Sequence, residues 1–197
     1  MKRRDSQKAL LGIEVLALLL SDDIFGFDAA LALAHVGDDR ALQHLSQVEE
    51  LSAPWNLAAA ITALGELGGS RSLELIKQAL TDLPQYAATW AATEPEREQY
   101  LASIRSDAAT SLGKIGGAEV VPPLIKLVTD TIEAVRWSAV NALHQVGPLA
   151  VEPLLAELQA TQDEDSRWSI LWALNKMDDP RAQAAVEAAR AMPADDD

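Results

Sequence analysis

No cysteine occurs in the 197 residues, which excludes disulfides, thiolate metal sites and cysteine nucleophiles together. The absence fits a reducing compartment. Positive charge is scarce too. Sixteen Lys and Arg stand against 30 Asp and Glu, giving a formal charge of −14 and a pI near 4.5. Nucleic-acid binding runs on neutralising phosphates with Lys and Arg, so no nucleic-acid partner is expected of so acidic a chain. Acidity serves solubility, and it also suits a basic or Arg-rich partner surface. Aromatic residues make up only 5%. Hydrophobic residues, dominated by Ala and Leu, reach 49%. That is enough for a packed core, and the mix favours helices over sheets.

A membrane-spanning run is missing as well. Met1-Lys2-Arg3-Arg4 followed by the apolar stretch Ala9 to Leu20 has the outline of a signal peptide. Glu14 interrupts the stretch, and Ser21-Asp22-Asp23 stands where a small-x-small cleavage site would be. The stretch is too short to cross a bilayer. It is expected to be a helix of a soluble, cytoplasmic protein. Signatures of catalysis are equally sparse, with no Gly-rich phosphate loop, no G-x-S-x-G elbow and no dinucleotide fingerprint. His35, His44 and His144 have no second His at i+3 or i+4, and none precedes Glu. No metal and no cofactor is therefore expected. Asp163-Glu164-Asp165 sits where negative charge complements the start of a helix.

What the sequence does contain is a repeat. Four segments align without gaps: LALAHVGDDRA (31–41), TALGELGGSRS (62–72), TSLGKIGGAEV (110–120) and NALHQVGPLAV (141–151). A fifth, WALNKMDDPRA (172–182), closes the series. The anchor leucines Leu33, Leu64, Leu112, Leu143 and Leu174 are spaced by 31, 48, 31 and 31 residues, so one step carries an extra 17. Gly37, Gly68, Gly116 and Gly147 keep the same phase, with Asp178 in the last unit. Ala before each leucine lets helices approach closely. Gly after it takes the left-handed conformation that ends a helix, and Asp or Pro starts the next one. Asp178 is a weaker left-handed residue, so the last turn should differ.

Each period thus holds two helices. Outer helices are expected near Gln7–Leu20, Arg40–Glu49, Arg71–Leu80, Ala118–Thr129 and Pro148–Ala160. Inner helices are expected near Ile24–Val36, Pro54–Leu67, Arg97–Ile115, Ile132–Val146 and Asp165–Met177. A capping helix, Pro180–Ala191, should follow. The domain is read as one array over 1–192 with an insertion at about 81–96, then an acidic disordered tail at 193–197. The insertion holds Pro84, Tyr86, Trp90 and Pro95. It is either a loop on a binding face or a lid that buries Trp90, with a helical turn or two in its Ala-rich part.

The segments AVRWSAVNALHQVGPLAVEPLLAEL and SIRSDAATSLGKIGGAEVVPPLIKL resemble the HEAT-like repeats of phycobilisome lyase proteins, whose pattern is roughly V-R-x-x-A-A-x-A-L-G-x-I-G-D-x-R-A-V-x-P-L. The resemblance covers about 20–190. The first two units depart from it, with Phe25-Gly26 and Asn56-Leu57 in place of Val-Arg, and the last lacks the Leu-Gly and Ile-Gly pairs. The resemblance implies an all-α fold, an α-solenoid of about five HEAT-like helix pairs plus a capping helix. It also implies a concave surface at positions six, five and two before each anchor leucine. HEAT-like hydroxylases hold a di-iron centre through His-Glu pairs that this chain lacks. HEAT-like DNA glycosylases are basic along their groove, which this chain is not.

Seven residues before the anchors stand Arg105, Arg136 and Arg167. This row is expected to be a structural ladder bonded to carboxylates or helix-end carbonyls, with Asp130, Asp163 and Asp165 as candidates. On the concave row stand Phe27, Asp28, Asp107, Thr110, Trp137, Asn141, Trp168, Ser169 and Trp172. Three of the five tryptophans fall there, and Trp168 and Trp172 share a helix face at i,i+4. Exposed Trp is enriched at binding hot spots. The expected partner-binding residues are Trp137, Trp168, Trp172, Asn141, Phe27, Asp28, Asp107, Thr110 and Trp90. The expected function is a non-catalytic scaffold or adaptor that grips another protein, a basic one included. The alternative that the resemblance implies is a phycobilin lyase or phycobiliprotein chaperone subunit, working in a pair of HEAT-like chains. Self-association through the aromatic end stays open.

Overall fold

The computed structural model describes residues 2–46, 53–90 and 93–191. Among these every regular element is a helix. In chain order they are α1 (Lys2–Leu19), α2 (Gly26–His35), α3 (Ala41–Leu45), α4 (Pro54–Leu67), α5 (Gly69–Thr89) and α6 (Glu94–Ile115), then α7 (Val121–Val128), α8 (Glu133–Val146), α9 (Val151–Ala160), α10 (Glu164–Asn175) and α11 (Pro180–Ala191). The fold is all-α, made of helix pairs of the α-solenoid kind. The end of the helix expected to reach Glu49, residues 91–92 of the insertion and the acidic tail 193–197 lie outside the described residues.

The helices gather into two compact units, Met1–Ile104 and Arg105–Asp197, where the sequence suggested one array. The border falls inside α6. In the first unit α2 packs on α1, α3 and α4, and α4 packs on α5. In the second, α8 packs on α7 and α10, while α9 lies against α7, α10 and α11. Inner helices thus neighbour inner helices, and outer helices neighbour outer ones.

The repeat explains this packing. Leu33, Leu64, Leu112, Leu143 and Leu174 are all 2% exposed or less. Burying each such side chain is worth about 1.5–3 kcal/mol. Ala30, Ala60, Ala108, Ala139 and Ala173 are buried beside them, and their small side chains set how closely the inner helices approach. On α6 even alanine would be too large at Gly113, because a Cβ there would lie 2.9 Å from the Ala142 Cβ of α8. Gly37, Gly68, Gly116 and Gly147 have φ of +79°, +72°, +70° and +73°, the conformation that ends a helix and turns the chain back. No described non-glycine residue has positive φ. Asp178 therefore ends its helix differently: the Lys176 N–H bonds to the Trp172 and Ala173 carbonyls, and the Met177 N–H to that of Leu174.

The insertion is where sequence and structure differ most. α5 runs unbroken to Thr89 with Pro84 inside it, and α6 already starts at Glu94. The cause is periodicity. Leu73, Ile76, Ala79, Leu83, Ala87 and Trp90 are all buried, one face at spacings of three and four that passes straight through Pro84. The extra residues lengthen two helices, and the gain from that face outweighs the hydrogen bond that proline cannot donate.

A paired device occurs in each unit. Asp38 takes the Arg40 N–H at 3.0 Å, its Nε at 2.9 Å and its Nη2 at 2.6 Å. Asp179 takes the same three groups of Arg181 at 2.9, 3.0 and 2.8 Å. Each arginine then reaches the preceding outer helix, Arg40 to Glu14 at 3.2 Å and Arg181 to Glu152 at 2.6 Å. Both arginines stand seven residues after an anchor leucine. The Arg181 guanidinium holds the Asp179 carboxyl down at about 2, and Arg40 lowers Asp38 in the same way.

Candidate functional site

The site lies in the second unit, where α8 and α10 run side by side. Arginines set the depth of both helices. Arg105 pairs with Asp130 at 2.7 Å through Nε and at 3.2 Å through Nη2. Asp130 also accepts the Ile132 N–H at 2.9 Å, in the turn that leads into α8. Arg136 donates Nη1 to the Asp130 and Thr131 carbonyls at 2.8 and 3.1 Å, and its Nη2 lies 3.5 Å from Asp165. Arg167 donates to the Leu158 and Thr161 carbonyls at 2.9 and 3.4 Å. Arg136 and Arg167 thus close the loops that lead into their own helices, while Arg105 of α6 braces the loop that leads into α8. Asp163 caps α10, accepting the Ser166 N–H at 2.8 Å. Hydrogen bonding from Ser166, first through its side chain and then through its backbone N–H, holds the Asp163 carboxyl below the usual range, with the charge of Arg136 adding to the effect.

These anchors aim three indoles at one another. Trp168 and Trp172, one turn apart on α10, stack with centroids 5.4 Å apart and planes 10° from parallel. Trp137 of α8 meets both edge-on, 6.3 Å from Trp168 and 5.4 Å from Trp172. Its Nε1 donates to Glu133 at 3.1 Å. A cavity of about 450 Å³ opens between the two helices, lined by the three indoles with Glu133, Arg136 and Asp165. A second cleft of about 290 Å³ lies on the far side of Trp168 and Trp172, against Val186 and Ala189 of α11. The stacked pair is the wall between the two. Trp168 is 58% exposed, while Trp137 and Trp172 are half-buried.

The other expected residues are scattered. Asn141 is exposed on α8 and accepts Lys176 Nζ at 2.9 Å. Ser169 lines the cavity although only 8% of it is exposed, and its hydroxyl donates to the Asp165 carbonyl at 2.8 Å. Asp107 is half-buried on α6, where desolvation pushes its carboxyl above the usual range. Thr110 is exposed and donates to the Ser106 carbonyl at 3.0 Å. Neither lines the cavity. Phe27, half-buried, and Asp28, exposed, belong to the first unit. Trp90, expected at a partner surface, is 5% exposed and packs edge-on against Tyr100 at 6.2 Å. It belongs to the buried face of α5, the lid-like alternative, and leaves the candidate surface.

Two groups escaped the sequence reading. Glu133 enters the site because it stands four residues before Trp137, a spacing that puts both on one helix face. Trp55, in the first unit, is 68% exposed and sits outside the repeat positions that drew attention to the others. Among the described residues no group of three or more His, Asp and Glu converges as a metal site. No helix of the described residues is long and apolar enough to cross a membrane.

Two family descriptions match the chain: HEAT repeats over residues 99–165 and the PBS lyase HEAT-like repeat over 57–82. These two stretches of the chain are HEAT-like repeats. No curated protein matches it. Two engineered proteins of known structure are similar at 22% and 19% identity, with TM-scores of 0.43 and 0.42. Each match covers 91% of this chain, and the chain spans 51% of the first engineered protein and 87% of the second. The HEAT-repeat match at 99–165 includes α8 and Trp137, one of the three indoles of the cluster.

Proposed function

We propose that this HEAT-like repeat protein is a non-catalytic interaction module that holds a segment of another protein against the α8–α10 face. HEAT repeats commonly present their inner helices to protein partners, and the observation that carries the reading here is the indole cluster. Three tryptophans from two adjacent inner helices frame a cavity of about 450 Å³, and one of them keeps 58% of its surface open to water. Leaving so much indole in solvent is costly, and tryptophan is the residue whose burial contributes most at interfaces. The test is affinity capture from lysate with wild type beside W137A/W168A/W172A, the variant shown to be folded by circular dichroism. Loss of one prominent protein from the variant supports the reading. The same proteins on both baits would refute it.

A second reading is favoured by the PBS lyase HEAT-like match at 57–82. On this reading the aromatic cavity contacts an open-chain tetrapyrrole, and the chain serves as one subunit of a lyase or chaperone for phycobiliproteins. Adding a bilin to the protein should then shift the visible absorbance. An unchanged spectrum, with and without apoprotein, removes this reading and leaves the first standing.

A further inference from the structure

The cavity between α8 and α10 is aromatic inside and acidic at its rim. Glu133 and Asp165 line it together with Trp137, Trp168 and Trp172. The Asp165 side chain is 77% exposed, so its charge is presented to the solvent beside the open surface of Trp168. Arg136 is the cation on the lining, but its side chain is only 12% exposed. Its Nη1 is committed to the carbonyls of Asp130 and Thr131. Its Nη2 lies 3.5 Å from Asp165 and offsets part of that charge, and two carboxylates against one guanidinium leave the mouth net acidic, in a chain of net charge −14.

This chemistry discriminates among occupants. An anionic group would face Glu133 and Asp165 directly. A neutral apolar side chain would cover the indoles, yet it would strip water from two carboxylates and offer them nothing in return. A cation satisfies both halves of the site, because indole faces attract positive charge through their quadrupole and the carboxylates accept its hydrogen bonds. Among cations a guanidinium fits best. It is planar and weakly hydrated, it stacks on an indole, and its fork of N–H donors can serve a carboxylate while stacked.

We infer that, given docking at this face, the cavity takes an arginine side chain from a basic segment of a partner protein. The cleft on the other side of the Trp168–Trp172 wall, lined by Leu171, Val186 and Ala189, takes an apolar side chain of the same segment. The partner is then read as an arginine and a neighbouring apolar residue straddling two stacked indoles.

The experiment is selection of short random peptides on the full-length chain, discarding those that bind the W168A variant equally. Trp168 is largely exposed, so W168A should fold. Circular dichroism checks this, and W168F, which keeps a ring, is the second variant. The expected result is enrichment of arginine next to an apolar residue. Replacing that arginine by uncharged citrulline should weaken binding roughly tenfold, the scale of a partly desolvated cation–π contact with its hydrogen bonds. E133Q/D165N should weaken the arginine peptide by a similar factor and leave the citrulline peptide unchanged. Trp168-dependent peptides without a cation, or indifference to citrulline, would overturn the arginine assignment while sparing the docking reading. If no peptide distinguishes wild type from W168A, the docking reading falls, and the arginine assignment with it.

Discussion

Replacing Gly113 by alanine measures how tightly α6 and α8 are pressed together. The new Cβ would lie 2.9 Å from the Cβ and 3.0 Å from the Cα of Ala142, and 3.0 Å from Gln145 Oε1. The glutamine amide can swing aside. The Ala142 atoms belong to the helix itself, and carbon atoms prefer about 3.5–4.0 Å, so the helices must part by roughly half an ångström. Overpacking of this kind costs about 1–3 kcal/mol. Alanine returns up to about 1 kcal/mol of helix propensity. The net expectation for G113A is a loss of about 0–2 kcal/mol. Gly12 supplies the control. It lies within α1, and a Cβ added there meets nothing within 4 Å, so G12A gains the propensity without the clash. Urea unfolding of the two variants should differ by about 1–3 kcal/mol, or several degrees in Tm for a chain of this size. If G113A is stabilised as much as G12A, the close approach of α6 and α8 is wrong, and with it the account of why small residues precede the anchor leucine.

Asp130 pairs with Arg105 and also holds the turn before α8 through the Ile132 N–H, and the Asp130 and Arg105 side chains are largely buried, at 10% and 18% exposure. D130A should cost about 1–3 kcal/mol in chemical denaturation by removing the Arg105 ion pair and the bond to the Ile132 N–H, whereas D28A on the exposed row should cost under about 0.5 kcal/mol. Trp90 fills the end of the α5 face, so W90A should lose about 3–5 kcal/mol. W90F should lose much less, because the buried indole N–H has no hydrogen-bond partner among the described residues. Acid should destabilise the protein with a definite sign. The carboxyl of Asp179 is held at about 2, and those of Asp38 and Asp163 are also lowered. Their contribution is complete above the unfolded value near pH ~3.9 and is lost as pH falls through the folded value. Asp107 is shifted the other way; its contribution is present at low pH and is lost as pH rises through its folded value, which softens the same limb. D179N should flatten the stability profile between about pH 4 and 2, and an unaltered acid limb would contradict the Asp179–Arg181 assignment.

How much of this was legible in the sequence follows from the range of the interactions involved. The period of 31 residues, the anchor leucines and the glycine stops are local signals, since a helix face and a left-handed turn are set by near neighbours in the chain. They were sufficient for the all-α fold and for placing most helices. They also put Trp168 and Trp172 on one face, because four residues make one turn. The length of α5 was hidden, because Pro84, Tyr86 and Trp90 look like a loop until the buried face of Leu73, Ile76 and Ala79 is seen to continue through Leu83 and Ala87. Only tertiary structure could decide that Trp90 turns inward onto Tyr100 while Trp168 stays open. Identical indoles part company according to which helix lies opposite. The same holds for the site itself. The stacked and edge-on geometry of the three indoles, and the placing of Glu133 and Asp165 beside them, depend on the register of α8 against α10. That register comes from the packing between the two helices, through the small residues and arginine-closed loops that hold them side by side.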